Sequence, residues 1–116
     1  MRRLACLLSI LLAGCAGKPP SLYAWGSYEE LIYKSYSHPG ELAPEAQADK
    51  LEKDRQQSES AKKQLPLPPG WHAHLAYVYV QTGRLDLAER ELLAEKAAYP
   101  ESATFVDSLI TNLRKR

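Results

Sequence analysis

His72 and His74 are the residues whose type first suggests metal chemistry, because imidazole nitrogens are common metal ligands. They stand two positions apart in a segment with a helical pattern. Side chains at that spacing point in different directions on a helix, so the pair cannot hold one ion. No paired carboxylates stand at helical spacing beside them. We therefore expect packing or surface roles for both histidines, and neither a metal nor another cofactor.

The serines give no stronger indication of nucleophilic catalysis. Ser27 and Ser102 each precede a helical pattern, where a hydroxyl caps the first backbone N–H groups. No serine lies between a strand and a helix, the context that exposes the nucleophile of many hydrolases. Glu89 and Glu91 are expected to be surface charges. The sequence therefore predicts a protein that is not an enzyme and takes no small-molecule substrate.

Cys15 carries the clearest chemical signal. It ends the run Leu12-Ala13-Gly14-Cys15, which follows an apolar stretch at 4–12 and the basic pair Arg2-Arg3. A basic start and an apolar stretch too short to span a bilayer are typical of a signal peptide. The run matches the lipobox of bacterial lipoproteins, in which the cysteine thiol receives diacylglycerol before the leader is cleaved. The alternative is an ordinary signal peptide that carries a cysteine at its end.

The lipobox implies a membrane-anchored protein. We expect cleavage of residues 1–14, palmitate-type acyl chains on Cys15 and a lipidated tether at 15–22. Two or three acyl chains anchor a protein stably, whereas a single chain binds reversibly. Ala16, rather than an aspartate, follows the cysteine. This favours the outer membrane, with the domain facing the periplasm.

Charge and cysteine content exclude two further classes of function. The chain has 15 basic and 14 acidic residues, and without Arg2 and Arg3 the mature chain has 13 and 14, a net charge of −1. A near-neutral domain lacks the basic surface that nucleic-acid binding requires. The other cysteine of the full chain, Cys6, lies in the leader, so a thiol-redox role of the mature protein is also excluded.

The mature chain at 23–116 is long enough for one domain, and its periodicity predicts an all-α fold. Apolar residues recur at helical spacing in five segments, which proline and glycine separate. The expected helices are 27–37, 44–64, 71–82, one from about Leu85 to Tyr99, and one after Ser102. Their expected buried faces include Tyr28, Leu31, Ile32 and Tyr36; a thin stripe with Leu51 and Arg55; Trp71, Leu75, Val78 and Tyr79; Leu85, Ala88, Leu92 and Tyr99; and Phe105, Val106, Leu109, Ile110 and Leu113.

The segment at 69–102 resembles one tetratricopeptide (TPR) repeat. Ala76, Ala88 and Pro100 follow one another at intervals of twelve, with Gly83 at the turn between two helices. The resemblance implies an antiparallel helix pair, which needs neighbours on both sides. The C-terminal helix would cap one side, and the helices at 27–37 and 44–64 would cover the other. A generic helical hairpin is the alternative.

A groove on the first helix of this pair is the candidate binding site. Most aromatic residues, including Trp25, are expected in the core, but Tyr77 falls off the apolar stripe on the side that lines the groove of TPR-like pairs. An amphipathic aromatic beside small and polar residues suits peptide binding. The tentative partner-binding residues are Ala73, Tyr77, Val80 and Gln81.

The mature chain also resembles a family of small uncharacterised bacterial lipoproteins. Its members share a Y-x-W-G-x-Y opening, a P-P-G-x-x-A motif and an E-K-x-x-Y-P-E-S ending, found here from Tyr23, Pro68 and Glu95 respectively. They are often encoded beside lipoproteins that resemble the curli secretion channel protein CsgG. The resemblance implies a periplasmic assembly module that binds another envelope protein, with a CsgG-like lipoprotein as the specific hypothesis. The alternative is a structural lipoprotein that contacts peptidoglycan through its long polar helix.

Overall fold

The computed structural model describes residues 17–116, and within that range the chain forms five α-helices and no strand. The all-α prediction is therefore confirmed for this part of the chain. The predicted leader, Cys15 and Ala16 lie outside the described residues. The elements are α1 (Tyr28–Ser37), α2 (Pro44–Ser60), α3 (Trp71–Gln81), α4 (Leu85–Ala98), a 3₁₀ turn (Pro100–Ser102) and α5 (Ala103–Leu113).

Proline and glycine set most of the helix boundaries. Pro44 is the first residue of α2. Gly83, with a φ of 74°, lies in the turn between α3 and α4. The second helix is shorter than predicted, because the chain leaves helical geometry at Ala61, where ψ is 145°. Residues 61–64 are all exposed. No burial offsets the entropy of continuing the helix there, so it stops after Ser60.

The core is organised around α3. The predicted face is confirmed, since Trp71, Leu75 and Val78 are fully buried and Tyr79 is nearly so. Helices α2 and α4 pack against α3, and α5 packs against α4. The other helices contribute Leu31, Ala48, Leu51, Ala88, Leu92, Val106, Ile110 and Leu113.

Helices α3 and α4 form an antiparallel pair. At the connected end, the Arg84 N–H donates to the Tyr79 carbonyl at 2.9 Å. At the other end, the Gly70 N–H before α3 donates to Glu95 Oε1 near the end of α4, at 2.7 Å. Ala76 and Ala88, the two alanines of the TPR-like spacing, are both buried.

The two predicted serine caps are corrected. Ser27 and Ser102 do lie at the starts of α1 and α5, but neither side chain caps its helix. Ser27 donates its hydroxyl to Asp54 Oδ2 in α2 at 2.6 Å, and a hydrogen bond to an ionised carboxylate is stronger than one between neutral groups. Ser102 has helical backbone angles and donates its hydroxyl back to the Tyr99 carbonyl at 2.7 Å.

Some large residues predicted on buried faces are exposed. Tyr36 is 84% exposed, Phe105 61% and Trp25 38%, while Leu85 also remains open at the first residue of α4. Helix α1 buries only Leu31, and Tyr36 lies five positions away, on a different side of the helix. Phe105 is one position off the buried stripe that Val106 begins. The apolar stripes are thus narrower than the sequence pattern indicated.

Candidate partner-binding groove

Three of the four predicted groove residues line one concavity. Ala73, Tyr77 and Val80 of α3 face the middle of α4 and the C-terminal end of α5 across a space of about 200 Å³. Gln81 is not part of its lining. Instead, the Gln81 amide donates to the Tyr77 hydroxyl at 3.2 Å, so it holds the rim residue in place. The remaining lining residues are Ala76, Leu92, Leu109, Asn112, Leu113 and Arg116.

The groove has an apolar floor and a polar rim. Ala73 and Ala76 carry only methyl groups, and this leaves the space that larger side chains would fill. Tyr77 is 59% exposed at the rim, and Asn112 and Arg116 add an amide and a cation at the α5 end. Its volume lies below the range typical of sites for drug-sized molecules. The groove is suited to one or two side chains of a partner segment.

A buried ion network between α2, α3 and α4 was not predicted. Glu91 of α4 is only 6% exposed, although it was expected to be a surface charge. It accepts from Arg55 Nη2 of α2 at 2.8 Å and contacts His72 Nδ1 of α3 at 2.7 Å. The Arg55 guanidinium also lies 5.1 Å from the centre of the Trp71 ring. One carboxylate thereby joins the three helices that form the centre of the fold.

In this network, hydrogen bonds between opposite charges affect the pKa values of Glu91 and Arg55 more than burial does. Burial by itself raises the pKa of Glu91, but hydrogen bonds from His72 and Arg55 outweigh it, and the net pKa is lowered. Burial by itself lowers the pKa of Arg55, but the hydrogen bond to Glu91 outweighs this effect, and the net pKa is raised. Both groups are therefore held in their charged forms.

Glu95 is a second buried acid on α4. It is 3% exposed, and its Oε1 accepts the Gly70 N–H that begins α3. Glu91 and Glu95 alternate with Ala88 and Leu92 on one face of α4, at spacings of three and four. That spacing indicates that both acids are buried, and a buried acid on a core-facing stripe requires a hydrogen-bond or charge partner.

A further acid-to-aromatic bond ties α2 to α3. The Tyr79 hydroxyl donates to a Glu52 carboxylate oxygen, and burial together with this bond raises the pKa of Tyr79 to about 12. The Arg84 guanidinium lies over the Tyr79 ring, 4.6 Å from its centre. Tyr79 is therefore a core residue with a satisfied hydroxyl rather than a titrating site.

His72 and His74 lie in different environments. His72 contacts Glu91, whereas the His74 ring packs 5.9 Å from the centre of the Tyr28 ring. Burial lowers the pKa of His74, which favours its neutral form. Among residues 17–116, no group of three or more His, Cys, Asp or Glu side chains could hold a metal ion.

A second open surface lies on α1. Trp25, Tyr28, Ile32, Tyr33 and Tyr36 line a shallow concavity of about 650 Å³, together with Glu29 and Ser37. We call this surface the α1 aromatic face. It was not predicted, because Trp25, Tyr28 and Tyr36 were expected in the core or on a buried helix face. Within the part of the chain that the structure describes, no helix is long and apolar enough to cross a membrane.

Comparison with known protein families gives one match. Residues 22–109 match the model of a domain of unknown function, DUF4810. Neither a curated protein nor a solved structure matches the chain. The matched range begins just before the α1 aromatic face and ends within α5. Since it spans well over half of the chain, this protein belongs to the DUF4810 family.

Proposed function

We propose that this protein is a lipid-anchored interaction module of the bacterial envelope, which binds another envelope protein through the groove between α3, α4 and α5. The observation that carries the proposal is the groove itself: an apolar floor under an exposed, positioned tyrosine. The pair of α3 and α4 would act as a TPR-like unit, with α2 and α5 as its neighbours. Anchoring raises the local concentration of partners at the membrane, and the groove supplies selectivity.

The lipid anchor is supported by the residues on both sides of Cys15. The lipobox precedes it, and the chain that follows at 17–21 is exposed and has no regular secondary structure. Pro19 and Pro20 favour an extended tether of this kind. We propose an outer-membrane location with the domain facing the periplasm. Metabolic labelling with a palmitate analogue tests the anchor, because label should be incorporated into the wild type and lost in Cys15→Ser.

The chemistry of the groove suggests what kind of segment would bind. Leu92, Leu109 and Leu113 would contact an aliphatic side chain, while Tyr77, Asn112 and Arg116 could bond its polar flanks. Arg116 favours an acidic residue beside the apolar one. The proposed partner is an envelope lipoprotein, with a CsgG-like protein as the specific candidate.

The test is crosslinking of the tagged lipoprotein in cells, followed by affinity purification and mass spectrometry. The double variant Tyr77→Ala, Gln81→Ala removes the rim, and Ala73→Phe fills the space without removing a contact. Phe105→Ala is the matched control, since this aromatic residue is exposed but does not line the groove. We expect one partner to be lost with both groove variants and retained with the control.

Two results would count against the proposal. If the same proteins are recovered with the groove blocked, the groove is not the binding surface. If only peptidoglycan fragments are recovered, and purified sacculi retain the protein whatever the groove variant, the structural lipoprotein becomes the better account. In that case, substitutions on the exposed polar side of α2 should release it from the cell wall.

A further inference from the structure

The α1 aromatic face is an exposed set of large side chains that the groove does not use. Tyr33 is 68% exposed and Tyr36 84%, although tyrosine rings of this size contribute much when buried. Trp25 stacks on Tyr28 with ring centres 6.3 Å apart, and Tyr23 meets the Trp25 ring edge-on at 6.0 Å. These contacts hold Trp25 in a fixed orientation. The part of the face around Trp25 and Tyr28 is therefore preformed.

The position of this face in the chain indicates what covers it. Only residues 17–24 separate it from the residues next to Cys15, and residues 17–22 of this segment, including Leu22, are exposed. From Cys15 to Trp25 the chain advances ten residues, which span at most about 36 Å when fully extended. A lipid on Cys15 would hold the α1 aromatic face within reach of the bilayer at all times.

The chemistry of the face fits the membrane–water interface. Tryptophan and tyrosine combine an apolar ring with a polar tip, and they concentrate at the level of lipid headgroups. The charges nearby are largely balanced, since Lys34 pairs with Glu30 at 3.0 Å and lies 3.8 Å from Glu41. The face therefore carries no cationic patch that would select anionic lipids, and its contact with a bilayer would depend on ring burial.

We propose that the α1 aromatic face rests on the surface of the bilayer beside the lipid anchor, as a second point of attachment. This inference depends on the lipidation that forms part of the proposed function. One lipid tether lets a domain rotate freely, whereas a second contact restricts its orientation. The groove would then be presented to partners from a limited range of directions.

The test uses the lipidated full-length protein in vesicles made mostly of phosphatidylethanolamine with some phosphatidylglycerol. A brominated phosphatidylcholine in the same vesicles quenches tryptophan at the interface, and aqueous iodide quenches tryptophan exposed to water. Trp71 is fully buried, so its contribution is removed by subtracting the signal of a Trp25→Phe variant. Flotation of the vesicles in a density gradient shows independently whether the anchor is present.

We expect the wild type to float with the vesicles and Trp25 to be quenched by the brominated lipid while being shielded from iodide. In the variant Tyr33→Ser, Tyr36→Ser the protein should still float, but lipid quenching should fall by about half or more because two interfacial rings are gone. The control Leu93→Ser, Phe105→Ser changes two exposed large apolar side chains elsewhere and should leave quenching unchanged.

Two outcomes would overturn the inference, and they differ in what else they affect. If the protein floats but Trp25 is quenched by iodide and not by lipid, the face does not touch the membrane, while the anchor stands. Lipid quenching that does not respond to the two tyrosine substitutions has the same meaning. If the wild type does not float, the anchor itself is absent and the membrane-docking proposal falls with it.

Discussion

The α3–α4 pair and the α1 aromatic face contain the same kinds of residue in opposite environments. Trp71 of α3 is fully buried, whereas Trp25 beside α1 is 38% exposed. Around the pair, even Glu91 and Glu95 are buried, because each finds a donor on a neighbouring element. Helix α1 has fewer neighbours and leaves its aromatic rings uncovered. The difference teaches that packing neighbours, rather than side-chain polarity, decide what this small fold buries.

The largest expected difference separates the two tryptophans. Trp71→Ala should lower the free energy of unfolding by about 4 kcal/mol, because it empties a fully buried site in the core. Trp25→Ala should cost less than about 1 kcal/mol, because that side chain is already partly exposed. Urea unfolding followed by circular dichroism measures both. Equal losses would show that the α1 aromatic face is part of the core.

The second-largest loss of stability is expected from disrupting the buried ion network around Glu91. Glu91→Ala leaves Arg55 and His72 without their shared carboxylate, and should lower the free energy of unfolding by about 2 kcal/mol. The cost is smaller than for a fully buried pair, since the Arg55 side chain keeps 24% of its exposure. The matched control is Glu89→Ala, whose partner Arg114 is exposed, and it should cause no measurable loss. A similar loss in both variants would remove the distinction between the two acids.

Burial of His74 should give stability a dependence on pH. The pKa of His74 is lowered by burial, so the unfolded chain binds the proton more readily than the folded one. This contribution to stability is present above the ordinary histidine pKa of about 6.5 and is lost as pH falls below it toward the folded-state pKa. Unfolding free energies measured at successive pH values should show this decline in the wild type and a flatter profile in His74→Asn. The exposed residue His38 provides the control, and His38→Asn should keep the wild-type profile.

The lowered pKa of Glu91 adds a second decline at more acidic pH. Its carboxylate stabilises the fold above the ordinary glutamate pKa, and this contribution is lost as pH falls through the lowered folded-state value. The two declines are separable because His74→Asn removes only the one nearer neutrality. An unchanged profile in that variant would contradict the assignment to His74.

The smallest stability effect is expected at the groove. Tyr77→Ala, Gln81→Ala should change the free energy of unfolding by no more than about 0.5 kcal/mol, since both side chains are exposed and bond chiefly to each other. Thermal unfolding checks this directly. A large loss would place Tyr77 in the structural framework, and any binding defect of the variant would then have no specific meaning.

The sequence was most informative where the backbone itself constrains the chain. Pro44, Gly83 and Pro100 mark boundaries that the structure places nearly where they were predicted, because these residues restrict or permit particular backbone angles. The width of the buried stripes was less predictable. Exposure of Tyr36 and Phe105 depends on which helices pack beside them, and a single segment does not contain that information.

The candidate groove was predictable on one of its sides. Ala73, Tyr77 and Val80 share a face of α3, so helical spacing alone brought them together. The opposite wall, from Leu109 to Arg116, depends on how α5 packs against α4. Glu91, in contrast, was wrongly expected to be a surface charge, and its partner Arg55 is 36 positions away in the sequence, so the pair is identified only in the fold.

The most direct test of the central claim is site-specific photocrosslinking in cells, with a photoreactive phenylalanine at position 77 of the lipidated protein. The same group at position 105 is the control, since Phe105 is similarly exposed but lies outside the groove. Binding through the groove predicts one strong crosslinked envelope protein from position 77, lost in Ala73→Phe, and none from position 105. Equal crosslinking from both positions, or none from position 77, would contradict it.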